Sequence, residues 1–74
     1  MQTIATGLNP SGIVFDGANI WVTNTGSNTL TLIRASDGVV LDNLITTGLG
    51  PAAVLFDGSH IWVANSGSNT ISKF

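Results

Sequence analysis

Shifting the chain by 41 residues lays Gly7–Ile33 over Gly48–Phe74, and 14 of the 27 aligned pairs are identical. The densest stretch reads Phe15-Asp16-Gly17-Ala18-Asn19-Ile20-Trp21-Val22 in the first copy. In the second it reads Phe56-Asp57-Gly58-Ser59-His60-Ile61-Trp62-Val63. The polar runs that follow, Asn24–Thr29 and Asn65–Thr70, differ only by Thr25 against Ser66. The match extends back to Ile4 over Ile45 and Thr6 over Thr47. A fixed period of this size marks a repeat architecture, in which one supersecondary unit stacks on the next because neither buries its apolar residues alone.

Within a unit the residues predict four short strands and no helix. Ile13–Phe15 is the first, closed by Asp16-Gly17, where glycine takes a positive φ without steric cost. Ile20–Thr23 is the second, followed by the polar loop Asn24–Asn28. Leu30–Ile33 is the third, closed by Ser36-Asp37-Gly38, and Val39–Ile45 is the fourth. Ile20-Trp21-Val22 and Ile61-Trp62-Val63 are apolar at consecutive positions, so both faces of each strand call for cover. Four-stranded units of about 40–45 residues with both faces buried describe β-propeller blades. A two-sheet sandwich is the rival reading, weaker because each of its sheets keeps a wet face, and solenoid coils have shorter repeats.

Two full units would take 82 residues where the chain has 74, and the eight without a match correspond to Arg34–Leu41. Phe74 aligns with Ile33 at the end of a third strand, and Met1 with Asp42 inside a fourth. The expected organisation is an outer strand at 2–6, a first blade at 7–47, and a second blade at 48–74 that lacks its own outer strand. These defects are complementary. Gln2, Thr3, Ile4, Ala5 and Thr6 of one chain are expected to add as a strand to Ile71, Ser72, Lys73 and Phe74 of the next. Head-to-tail contacts of this kind close into rings or run on as filaments. The expectation is a ring of identical subunits, six blades from three chains or eight from four, with Phe15, Trp21, Phe56 and Trp62 packed between neighbouring blades.

Composition agrees with a buried, uncharged unit. Charged residues make up 8% of the chain against 43% hydrophobic, and seven Ser, nine Thr and seven Asn supply the polarity. With only Arg34 and Lys73 as cations, the electrostatic footprint of a nucleic-acid or anionic-membrane partner is missing. Zero cysteines and a single histidine exclude a disulfide framework and a Cys/His zinc finger. The first residues lack a cationic start and a long apolar run, so they do not read as a secretory signal. The longest apolar run, Ala52–Phe56, is far below the roughly 20 residues that a membrane span requires. The reading is a soluble chain that stays where it is made.

Pro10-Ser11-Gly12-Ile13-Val14-Phe15-Asp16, Ile20-Trp21-Val22-Thr23-Asn24 and Gly26-Ser27-Asn28-Thr29 together resemble the blade of NHL-repeat propellers. They are equally similar to the blades of virginiamycin B lyase-like propellers. The NHL resemblance implies six blades and hence a trimer. Lyase-like relatives commonly have seven, which equivalent two-blade subunits cannot build. Their His-bearing, metal-assisted site finds no matching positions in this chain, so no lyase activity is carried over.

Candidate sites are few. His60 stands where the first repeat has Asn19 and reads as a surface turn residue. Asp16, Asp37 and Asp57 each precede glycine and read as turn-shaping acids. Asn24, Ser27 and Asn28, with Asn65, Ser68 and Asn69, form polar loops that lead into strands rather than helices, which removes a phosphate-cradle reading. Those loops are the candidates for binding a neutral small molecule or glycan. No Ser-His-Asp set, cysteine nucleophile or carboxylate pair outside the turns points to catalysis. The expected function is non-enzymatic self-assembly, with no cofactor and no metal, the chain itself as its partner, and ligand binding through the loops as the alternative.

Overall fold

β-Branched, aromatic and leucine residues supply most strand positions and Gly, Asn and Asp most turns, and seven strands result, with Gly12 and the Asp42-Asn43 pair lying inside strands. The computed structural model describes all 74 residues, Met1–Phe74. Its strands are β1 (Pro10–Phe15), β2 (Asn19–Asn24), β3 (Thr29–Arg34), β4 (Val40–Thr46), β5 (Pro51–Phe56), β6 (Ile61–Asn65) and β7 (Thr70–Lys73). There is no helix, and therefore none long and apolar enough to cross a membrane. The strands form two antiparallel sheets, β1-β2-β3-β4 and β5-β6-β7, each a meander in chain order.

The turns repeat as closely as the sequence does. Gly17 and Gly58 take φ of 100° and 101° in the β1–β2 and β5–β6 turns, a region closed to most L-residues. Asn28 and Asn69 both take φ of 56° at the end of their loops, which asparagine tolerates better than other non-glycine residues. The register also carries over. Val14 pairs with Trp21 and Leu55 with Trp62, and a bulge interrupts β1 between Pro10 and Gly12 and β5 between Pro51 and Ala53.

The two sheets stack face to face. Leu30, Ile61 and Val63 form the buried centre, with Val14, Trp21, Ile45, Val54 and Phe56 packed around it. Leu30 and Val63 are wholly buried, and each such side chain contributes about 1.5–3 kcal/mol relative to exposure. The sheets come closest at β1 and β5. A Cβ on Gly12 would lie 2.9 Å from Thr23 Oγ1 and 3.3 Å from Val54 Cγ1, so any larger residue would push one of these side chains aside.

One feature differs from the sequence expectation in detail. The first three strands extend one to three residues further than the turn signals indicate, because the ladder continues to Pro10, Asn24 and Arg34. The segment Gln2–Thr6 pairs with no strand in the single chain. It crosses the outside of the first sheet, where the Gln2 side-chain amide donates to the Asp37 carbonyl at 3.4 Å.

Candidate functional site

Strand geometry sends alternate side chains to opposite faces, so each sheet has one face against its neighbour and one face open. In the first sheet Val14, Trp21 and Leu30 face the second sheet, while Ile13, Phe15, Ile20 and Val22 face away. In the second sheet Val54, Phe56, Ile61 and Val63 face the first, while Ala53, Leu55, Trp62, Ala64 and Ile71 face away. The 41-residue shift exchanges these sets. The open residues Leu55, Trp62 and Ile71 are the counterparts of the covered Val14, Trp21 and Leu30. The open Ile13, Phe15, Ile20 and Val22 are the counterparts of the covered Val54, Phe56, Ile61 and Val63.

Both outward faces are apolar, although on the first of them Val22 and Ile33, beside the Gln2–Thr6 segment, are themselves buried. Ile13 is 70% exposed, Phe15 54%, Leu55 55% and Ile71 69%. Residues of this kind are scattered singly on an ordinary monomer surface; here they are gathered on two faces. The first open face forms the floor of a groove of about 660 Å³, made by Ile13, Ile20, Val22 and Ile33, with Gln2, Ile4 and Thr6 along one wall. The second forms a smaller depression of about 490 Å³ around Leu55, Trp62 and Ile71. Of the aromatic residues expected between blades, Trp21 and Phe56 lie between the two sheets, and the Trp21 ring is 6.2 Å from that of Phe74. Phe15 and Trp62 lie on the open faces, with the Lys73 ammonium 5.1 Å from the Trp62 ring centre. The sequence reading does not single out Ile13 or Leu55 as face residues. The same shift applied to faces instead of strands finds them.

Each tryptophan is braced by the acid of the preceding turn. Asp16 accepts the Ala18 and Asn19 amides at 2.9 and 2.7 Å and the Trp21 indole N–H at 2.8 Å. Asp57 accepts the Ser59 and His60 amides, both at 2.8 Å, and the Trp62 indole N–H at 2.6 Å. The brace follows from spacing, because the two-residue turn returns the chain so that position i+5 stands beside the acid. Donated hydrogen bonds favour the charged carboxylate. The Trp62 indole above all, and then the His60 and Ser59 amides, hold the Asp57 carboxyl down to about 2; Asp16 is lowered in the same way, chiefly by Trp21. A carboxyl depressed in the fold stabilises the fold above its unfolded value and loses that contribution as pH falls through its folded value. The melting temperature is therefore expected to be level above about pH 5 and to fall between about pH 4 and pH 2. Asp57→Asn should flatten part of that slope. A melting temperature unchanged from pH 5 to pH 2 would exclude the brace.

The polar loops are occupied with their own structure. The Asn24 side-chain amide donates to the Thr29 and Thr31 hydroxyls at 3.3 and 2.8 Å, and that of Asn65 to Thr70 and Ser72 at 3.3 and 2.9 Å. Ser27 accepts the Leu8 amide at 3.2 Å and Ser68 the Leu49 amide at 3.1 Å. Asn28 holds the connection that follows β4, its Oδ1 accepting the Gly50 amide at 2.9 Å and its backbone carbonyl the Thr47 amide at 3.1 Å. The Asn24 and Asn65 Oδ1 atoms are buried without a donor. His60 is exposed on its turn, and no group of three or more His, Asp or Glu side chains comes together to hold a metal ion. Of the predicted pairing residues, Ile71, Ser72 and Lys73 form the free outer edge of β7, and Gln2–Thr6 lie at the opposite open face. Comparison with protein-family models finds no match, and comparison with curated proteins finds none either.

Proposed function

We propose that this chain is a propeller building unit whose function is self-assembly, copies adding head to tail until a ring of four-stranded blades closes. The observation that carries the reading is the exchange of faces. The open face of β5–β7 repeats the face that β1–β3 press onto β5–β7, and the open face of β1–β3 repeats the one that receives it. A second copy docked through these faces reuses a packing arrangement that already exists within one chain. The groove of about 660 Å³ is then the seat of the neighbour's second sheet, with Trp62 in the role of Trp21. Both faces of each blade become interior, which accounts for strands that are apolar at consecutive positions and for the scarcity of charge.

The outer strand follows the same rule. β3 pairs with β4 through Thr29 and Thr46, Leu30 and Ile45, and Leu32 and Asp42. Moved by 41 residues, that register sets Thr70 opposite Ala5, Ile71 opposite Ile4, and Lys73 opposite Met1 of the next copy. β7 gains the fourth strand of its blade, and an unpaired edge that invites aggregation is covered. Such heterologous contacts close when the rotation allows. Three copies make six blades and four make eight, and the resemblance to NHL-type blades favours three.

A chain carrying both Ile4→Cys and Ile71→Cys tests the arrangement, since no other cysteine is present. Residues facing one another across an antiparallel pair have Cα atoms roughly 4.5–5.5 Å apart, within reach of a disulfide. Oxidised chains are expected to run on a denaturing gel as a ladder that stops at three or four copies. Chains that remain single, or a ladder without an upper end, would overturn the closed ring.

A further inference from the structure

We infer that Asn69 is the residue that sets the register between copies, as a latch that takes two backbone amides of the next chain. The inference rests on the head-to-tail reading above and adds to it a polar determinant that apolar faces alone do not supply.

Within one chain the latch is already visible at Asn28. Its φ of 56° turns the side chain and the carbonyl outward together, and the two oxygens accept the Gly50 and Thr47 amides of the connection into the second sheet. Asn69 has the same φ of 56°, in a loop that differs from that of Asn28 at one residue. The counterparts of Gly50 and Thr47 are Asn9 and Thr6. Asn9 matches Gly50 in backbone as well as position, with φ of 54° against 61°. In the single chain Asn69 Oδ1 and its carbonyl receive no hydrogen bond, and the Asn9 and Thr6 amides donate none. Two acceptors at one end of the molecule thus correspond to two free donors at the other, with the spacing that Asn28 satisfies internally.

Ser72 and Gln2 extend the same correspondence. Thr31 Oγ1 donates to Asn43 Oδ1 at 2.5 Å, and the counterparts of that pair are Ser72 and Gln2 of the next copy. Gln2 would exchange its hold on the Asp37 carbonyl for Ser72. A one-residue slip of the added strand would turn Ile4 away from the groove and leave the Asn69 acceptors facing no amide, so register is fixed from both ends of the strand.

The test compares Asn69→Gly, which keeps the backbone conformation and removes Oδ1, with Asn69→Asp, which keeps an acceptor there. Asn69→Gly is expected to raise the concentration at which assemblies dissociate by about tenfold or more, the loss of one hydrogen bond with its buried donor left unpaired. Asn69→Asp should retain wild-type assembly at neutral pH. Thermal unfolding of the dissociated Asn69→Gly chain should match that of the dissociated wild type, which separates a lost latch from a damaged fold. If Asn69→Gly assembles as tightly as a wild type that does assemble, the latch is overturned and the propeller reading stands. A wild type that is monomeric at every concentration overturns the assembly itself.

Discussion

Ile71→Ala is expected to destabilise the protein about as much as Leu30→Ala, although Ile71 is 69% exposed in the single chain and Leu30 is fully buried. The two residues are counterparts in the repeat, each on the third strand of its unit and on the face that carries the tryptophan. Truncating a buried Leu or Ile to Ala costs about 2–5 kcal/mol, because the cavity adds to the lost transfer energy. Truncation at an exposed position usually changes stability by no more than about 0.5 kcal/mol. The single chain and the ring therefore predict different results from the same substitution. In the ring, Ile71 meets Ile4 of the added strand and the Ile20–Val22 face of the next copy, as Leu30 meets Ile45 and the Ile61–Val63 face. Thermal unfolding of the two variants side by side reads the difference. Matching losses support the ring, and an Ile71→Ala protein that melts like the wild type contradicts it.

Much of the fold is legible in the residues because its punctuation is local. Asp16-Gly17 and Asp57-Gly58 announce their turns, and the runs from Ile20 and Ile61 announce their strands, since turn chemistry and β-branching act over a few residues. The consecutive apolar residues Ile20-Trp21-Val22 also place apolar side chains on both faces of their strand, as the structure has them. They do not say what covers them. A period of two is the same whichever sheet lies opposite, so Trp21 and Trp62 look equivalent in sequence although one sits between the sheets and the other faces outward. The Asp16–Trp21 and Asp57–Trp62 braces are readable from spacing once a two-residue turn is assumed. The bond from Asn28 to Gly50 is not, because it joins residues brought together by the stacking of two units. Asn28 and Asn69 accordingly read as loop polarity open to a ligand, when Asn28 holds the connection between β4 and β5.

Deleting Met1–Thr6 is the substitution-scale change with the largest expected effect on assembly. These residues share no strand within their own chain, and their one recorded long-range hydrogen bond is the 3.4 Å contact from Gln2 to Asp37. Their removal should therefore leave both sheets folded. Between copies they would supply the outer strand of a blade, including the buried side chain of Ile4, worth about 1.5–3 kcal/mol. Each backbone hydrogen bond of the added strand contributes about 0.5–1.5 kcal/mol more. Losing several of these at every interface weakens association by several tenfold steps of about 1.4 kcal/mol each. The shortened chain should appear as monomer and aggregate with β7 uncovered, and a ring that survives the deletion would show that the strand does not cross between copies. The intact chain decides the larger question, and its native mass spectrum is the most direct reading. Three copies of the 7.6 kDa chain are expected, with four the next allowed closure. A spectrum holding only the 7.6 kDa species at concentrations where the chain is folded would contradict assembly.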